Sequence, residues 1–228
     1  DFPVTAIVGP NGGGKTTVLG AAGLIYKSVR PRRFFAKSGR FDSSMQDWAI
    51  EYELVDRSVS PRDTVSRTAN YKNARWSRNS EERSVAIFGV SRTVPSTERV
   101  ELTRYASNDF DVDPQRIHTL QNTVIDRVSK VLGKDVSGYR QLSVDQKGRV
   151  TLLTGQTETG IDYSEFHFGA GESSIIRMVI DIEALPENSL ILIEEIENGL
   201  HPIATIRMVE YLIDVALRKK CQSMFTTH

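Results

Sequence analysis

Apolar positions along the chain alternate between two spacings, and the places where the spacing changes mark its elements. Val4–Val8 is a short apolar run of the strand kind, stopped by the turn formers Gly9-Pro10-Asn11-Gly12-Gly13-Gly14. From Lys15 to about Val29 apolar residues return every three or four positions (Val18, Ala21 or Ala22, Ile25, Val29), which predicts a helix with one buried face. Gly20 and Gly23 weaken that helix by about 1 kcal/mol each relative to Ala, so tight packing against them is expected. Between Arg30 and Val94 the pieces become β-like: Trp48–Val55, Thr64–Tyr71 and Ser84–Val90, an antiparallel subdomain inserted into the chain. Asp113-Pro114 predicts a helix with Asp113 as N-cap, a stripe of Ile117, Leu120, Val124, Val128 and Val131, and Gly133 at its end. Tyr139–Val144 and Arg149–Leu153 read as a hairpin. Glu172–Leu185 is a third helix, stopped by Pro186. Ser189–Ile193 is continuously apolar, as in strands covered on both faces. A helix over about Ile203–Lys219 and a strand at Gln222–Thr227 close the chain.

Strand–loop–helix at the front and strand–helix–strand at the back imply a parallel α/β sheet, whose ligands gather at the carboxyl ends of its strands. The core would comprise residues 1–30 and 168–228, and residues 31–167 the inserted β-rich and helical subdomain. One strand fits before the glycine loop and the chain stops at the end of another, so both ends read as cuts from a longer protein.

Composition narrows the class. With 39% hydrophobic and 25% charged residues the 228-residue chain is of the globular kind. No apolar run approaches the roughly 20 residues of a membrane span, so no membrane partner is expected. The single Cys221 excludes an intramolecular disulfide and fits a reducing cytoplasm. The 29 basic and 29 acidic side chains cancel only globally. Lys27, Arg30, Arg32, Arg33, Lys37 and Arg40 form an acid-free run, and residues 181–201 hold Asp181, Glu183, Glu187, Glu194, Glu195 and Glu197 without a Lys or Arg. The basic run is either a surface for a polyanion such as nucleic acid or a solvated loop beside an active site, and charge alone does not choose. Trp48 and Trp76, with Phe34 and Phe35, either stack nucleobases or fill the core of the insert, the second being the stronger reading.

Two motifs carry chemistry. Gly9-Pro10-Asn11-Gly12-Gly13-Gly14-Lys15-Thr16 fits G-x-x-x-x-G-K-[ST] at every fixed position, between a strand and a helix. In such a P-loop the backbone amides of Asn11, Gly12, Gly13 and Gly14, continuing into Thr16 and Thr17, wrap the phosphates of ATP. Lys15 reaches the β- and γ-phosphates, and the Thr16 hydroxyl binds Mg2+. The second motif is the apolar strand ending in Glu194-Glu195. There the first carboxylate holds the metal or its water, and the second orients the attacking water.

Together with Glu-Asn-Gly-Leu-His-Pro at 197–202 and Thr226-Thr227-His228 at the end of a strand, these motifs resemble the ABC-ATPase superfamily. Within it they are similar to the branch of OLD-type (overcoming lysogenization defect) and related bacterial anti-phage ATPases. The resemblance covers both ends of the chain and little of its middle. It implies a P-loop NTPase of α/β class, with helices on both faces of a parallel sheet. It also implies Glu195 as general base or water-positioner, His228 as the switch histidine sensing the γ-phosphate, and Glu194 on Mg2+. The family usually carries Asp where Glu194 stands, and a longer carboxylate requires adjusted geometry around the metal. His201 lies in the segment that crosses to the partner subunit in this family, or serves structure alone. Phe168-Gly169-Ala170-Gly171-Glu172-Ser173-Ser174 resembles the ABC signature, which implies that residues Gly169 to Ser173 approach the ATP of a second subunit. Gly169 occupies the usual Ser position, leaving Ser173 or Ser174 to supply the hydroxyl. The glutamine loop is not evident; Arg92, in Phe88-Gly89-Val90-Ser91-Arg92, stands where its glutamine is expected.

The implied protein is an ATPase that dimerises head-to-tail around Mg-ATP, as a homodimer or higher homo-oligomer, and controls an effector protein or domain, a nuclease in anti-phage defence being the family analogy. Three alternatives stand beside it. A DNA-organising or repair ATPase of the structural-maintenance-of-chromosomes type needs a long heptad coiled coil that residues 30–167 lack. A transporter motor is opposed by Glu-Asn-Gly-Leu-His-Pro. A non-hydrolysing ATP-gated scaffold is opposed by Glu195.

Overall fold

The computed structural model describes residues 2–36, 44, 46–57, 59–107, 109–157 and 159–228. In chain order the elements are β1 (Val4–Val8), α1 (Lys15–Leu24), β2 (Trp48–Leu54), β3 (Val65–Lys72), β4 (Arg75–Arg78), β5 (Val85–Phe88), α2 (Thr103–Ala106), β6 (Ile117–Thr119), α3 (Asn122–Leu132), β7 (Arg140–Ser143), β8 (Thr151–Gln156), β9 (Asp162–Ser164), α4 (Ala170–Ala184), β10 (Leu190–Ile193), α5 (Pro202–Lys219) and β11 (Gln222–Thr227). No described helix is long and apolar enough to cross a membrane. The chain divides into two compact units: Asp1–Ile87, Pro186–Glu194 and Ala216–His228 form the first, and Phe88–Leu185 with Glu195–Val215 the second.

The first unit is built on a four-stranded sheet in the order β1-β11-β10-β5, with β1 and β10 both parallel to β11. All four residues of β10 are buried, as a continuous apolar strand requires. Helix α1 packs on this sheet, and its two glycines answer the cost they impose. A methyl at Gly23 would lie 2.7 Å from Leu192 Cδ1, and one at Gly20 2.5 Å from Phe34 Cβ, so a side chain at either position would force a neighbour to shift. The helix stops at Leu24 rather than near Val29. Arg78, from β4, donates to the carbonyl of Leu24 and to those of Tyr26 (3.1 Å) and Val29 (2.8 Å), holding the chain in a turn. A second, antiparallel sheet, β2-β3-β4, carries a cluster of Leu24, Phe35 and Ala69 with Trp48 and Trp76 against it. Ser84–Val90 does not join that sheet as the sequence suggested. Strand β5 instead lies beside β10, with Leu190 N donating to Ser84 O at 2.9 Å.

The second unit holds the antiparallel sheet β6-β7-β8-β9 and helix α3 packed on α4. Asp113 does cap, its Oδ1 accepting from Gln115 N at 2.9 Å, but the turn it opens is a 3-10 turn ending at Arg116. Ile117 then pairs with Leu142 across β6 and β7, and the helix begins only at Asn122. The predicted start was displaced by strand pairing with a segment more than twenty residues away. Val124, Val128 and Val131 remain the buried stripe of α3, and Gly133 ends it in the left-handed conformation at φ 72°.

Candidate functional site

The glycine loop sits at the carboxyl end of β1 in the first unit. Gly12 and Gly14 adopt φ of 75° and 78°. A methyl at either would meet nothing within 4 Å, so the requirement for glycine there is conformational, not one of space. The loop closes on itself, Gly13 N donating to Pro10 O at 3.1 Å. Lys15 is buried at 8% exposure, its ammonium donating to Gly9 O at 2.7 Å and Pro10 O at 3.0 Å. Asn11, Thr16 and Thr17 are exposed. Gly14 precedes α1 without a side-chain cap, and the first turn holds no acid, leaving its amides and positive dipole end to an anion. These residues fit a phosphate group bound by backbone amides, with the Thr16 hydroxyl at hand for its metal.

Strand register brings two further predicted residues to the same edge. Val8 pairs with Thr227 and Ile193 with Phe225, all in parallel. His228 therefore follows β11 level with the start of the loop at Gly9, about one strand spacing of 4.8 Å away. Glu194 leaves β10 level with Thr226, about two spacings, near 10 Å, from the end of β1. Glu194 is half-buried and His228 exposed.

Glu195 is the next residue and belongs to the second unit. It is half-buried, and its backbone is left-handed, φ 44°, which few non-glycine residues adopt. Its carbonyl accepts from Arg92 Nη2 at 2.6 Å and from Asn198 N at 2.8 Å. Arg92 also donates to the carbonyls of Gly89 (3.1 Å) and Ile196 (3.4 Å). The sequence marked Arg92 by position alone; its use of backbone carbonyls has no signal in residue type.

The signature-like segment lies in the same unit. Gly169 precedes α4 with no side-chain cap, and a methyl there would meet nothing within 4 Å. Gly171 differs: a methyl would lie 2.2 Å from the Gly199 carbonyl oxygen, so glycine is required by packing within the unit. Glu172 accepts from Lys134 at 2.6 Å and from the Tyr139 hydroxyl at 2.8 Å, which balances its charge in the first turn of α4. Ser173 and Ser174, the candidates for the hydroxyl that Gly169 lacks, are buried at 7% and 1% exposure. His201 caps α5, its Nδ1 accepting from Ile203 N at 3.3 Å. Of the basic run, Lys27, Arg30, Arg32 and Arg33 are exposed, whereas Lys37 and Arg40 lie outside the described residues. Phe35 is buried against Trp48 and Trp76, ring centroids 5.6 and 5.3 Å apart, so these aromatics are core.

The fold is shared with solved P-loop ATPase heads. The SMC head domain from Thermotoga maritima is 15% identical with a TM-score of 0.51, covering 99% of this chain and 80% of that one. The Smc head domain with an extended coiled coil bound to the C-terminal domain of ScpA, derived from Pyrococcus furiosus, is 11% identical with a TM-score of 0.53, covering 98% and 83%. At such identities the likeness is one of fold, a P-loop NTPase with a parallel sheet. No curated protein matches the chain in sequence. Residues 101–228, more than half of the chain, match the family described as the AAA ATPase domain. With this match over more than half of its length, the chain belongs to the AAA ATPase domain family.

Proposed function

We propose that the chain hydrolyses ATP to ADP and phosphate, closing head-to-tail with a second copy around two nucleotides and so controlling an effector. The observation that carries this reading is the convergence of the P-loop, Glu194 and His228 on one carboxyl edge of the first unit's sheet. Lys15 and the loop amides hold the phosphates, and Thr16 with Glu194 holds Mg2+, which neutralises charge on the phosphates when bound. Glu195 orients the attacking water and draws off its proton as the bond to phosphorus forms and the bond to the ADP oxygen breaks. His228 contacts the γ-phosphate. The signature-like turn at Gly169 aims an uncapped helix start at the partner's nucleotide. The Glu-Asn-Gly-Leu-His-Pro segment supports the OLD-like branch, and with it a nuclease effector in anti-phage defence.

Lys15→Ala should remove ATP binding, because it deletes the motif's only side-chain cation on the phosphates. Isothermal titration giving the parental affinity would refute the P-loop assignment. For the head-to-tail arrangement, Gly169→Asp is the clean probe: its side chain enters open space, whereas any side chain at Gly171 collides with Gly199. The carboxylate should repel the partner's γ-phosphate, so each subunit still binds ATP while turnover is lost. Mixing Gly169→Asp with Lys15→Ala subunits restores one intact composite site and should recover part of the turnover. Heterodimers that form and stay inactive would count against the arrangement.

A further inference from the structure

We infer that Arg92 is a positioning residue for Glu195: it holds the glutamate's backbone in the left-handed conformation from which the carboxylate serves the attacking water. This rests on the reading of Glu195 as the water-positioning group.

The second unit places two short turns against each other. One is the 3-10 turn Val90–Thr93, which packs on α4. The other is Glu195–Gly199, immediately after the buried strand β10. Arg92 spans them. Its Nη1 donates to Gly89 O, at the base of its own turn, and its Nη2 to the carbonyls of Glu195 and Ile196. One rigid guanidinium thus fixes the peptide plane that leaves Glu195, which borders the Cα carrying its side chain, and steadies the plane that follows Ile196. The adjacent residue reinforces the pairing. Thr93 Oγ1 accepts from Asn198 Nδ2 at 3.3 Å, and Gly199, at φ 72°, leaves so little room that a methyl would sit 2.9 Å from Thr93 Cγ2.

A non-glycine residue at φ 44° reverts to ordinary backbone unless its surroundings over-determine it, and such outliers persist where a side chain must be aimed. Here the surroundings are carbonyl acceptors, which only a donor can organise. Of the side chains in the two turns, Arg92 is the one whose charged donors reach the Glu195 carbonyl. A lysine in its place supplies a single point of attachment and loses the planar fork.

The test compares ATP turnover and ATP affinity for Arg92→Met and Arg92→Lys, each in the parental chain and in Glu195→Gln. Arg92→Met should lower kcat about ten- to a hundredfold, the loss expected when a reacting group is misplaced by about an ångström. ATP affinity should stay within about twofold, since the proposed effect of Arg92 runs through the carbonyls of Glu195 and Ile196. Arg92→Lys should recover part of the loss. In the Glu195→Gln background the Met substitution should cost nothing more, because its effect runs through the missing carboxylate. Parental kcat in Arg92→Met overturns the proposal, as does an equal fold-loss in both backgrounds, which marks a purely structural role. Should Arg92→Met not fold, the Lys variant carries the same comparison. If Glu195→Gln itself turns over ATP at the parental rate, the reading of Glu195 fails and takes this one with it. If Glu195→Gln is inactive while Arg92 variants are not, only the role of Arg92 falls.

Discussion

Replacing Glu195 by Gln should lower ATP turnover by at least about a hundredfold while ATP binding persists. The substitution keeps the shape of the side chain and its capacity for hydrogen bonds, and removes the charge and basicity that orient and deprotonate water. Lys15, Thr16 and the glycine-loop amides are untouched, so the affinity for nucleotide should remain. A dimer closed around two ATP molecules should then accumulate, because binding still favours it and turnover no longer opens it. Glu194→Gln should separate from it clearly. That residue sits at the end of β10 on the same sheet edge as the P-loop, and its proposed partner is the metal. Its loss should weaken Mg2+ binding and, with it, ATP affinity in the presence of Mg2+. Turnover, nucleotide affinity and dimer fraction measured for both variants assign the two roles. Parental turnover by Glu195→Gln would mean that hydrolysis, if the chain performs it, does not run through this carboxylate.

Local information reached the sheet edge and little beyond it. Strand β11 has the bounds its sequence predicts, Gln222–Thr227, and β10 differs by one residue, because both are dictated by short apolar runs between turn formers. The P-loop was legible because its chemistry demands fixed residue types at fixed spacing, and Gly20 and Gly23 correctly announced close neighbours. What remained hidden depends on partners distant in sequence. Helix α1 ends where Arg78 captures its carbonyls, 54 residues away in the case of Leu24. Ile117 has the spacing of a helical stripe, yet pairing with Leu142 draws it into a strand. Gly171 looks like a ligand-approach glycine and is needed to admit the Gly199 carbonyl. The left-handed backbone of Glu195 has no sequence signal at all, since glutamate rarely adopts it; Arg92 and Asn198, which both donate to its carbonyl, come from outside its immediate neighbours.

Glu165→Ala should destabilise the second unit by about 3–5 kcal/mol, the cost of leaving one partner of a buried ion pair uncompensated. The Glu165 side chain has no solvent exposure. Its carboxylate accepts from Arg177 Nε at 2.7 Å and Nη2 at 2.5 Å, from Arg99 at 3.4 Å, and from the Leu153 amide at 3.0 Å. Arg177 continues to Thr151, donating to its hydroxyl at 3.1 Å and its carbonyl at 2.8 Å, so one ion pair ties α4 to β8. Burial alone would raise the pKa of Glu165. The hydrogen bonds and charge of Arg177, the Leu153 amide and the charge of Arg99 outweigh burial and hold it below its ordinary 4.5. The carboxyl is thus more acidic folded than unfolded, so its contribution is complete above about pH 4.5 and is lost as pH falls through the folded-state value. Urea unfolding of the parent between pH 7 and pH 3 should show stability falling on the acid side. Glu165→Gln, which keeps the volume but carries no charge at any pH, should start lower at pH 7 and lose less on acidification. Replacing Glu165 and Arg177 together by Met should cost less than Glu165→Ala, because no charge is then left buried without its partner. If the single and double variants were equally destabilised, the loss would come from packing volume, and the ion pair would not be what joins these elements.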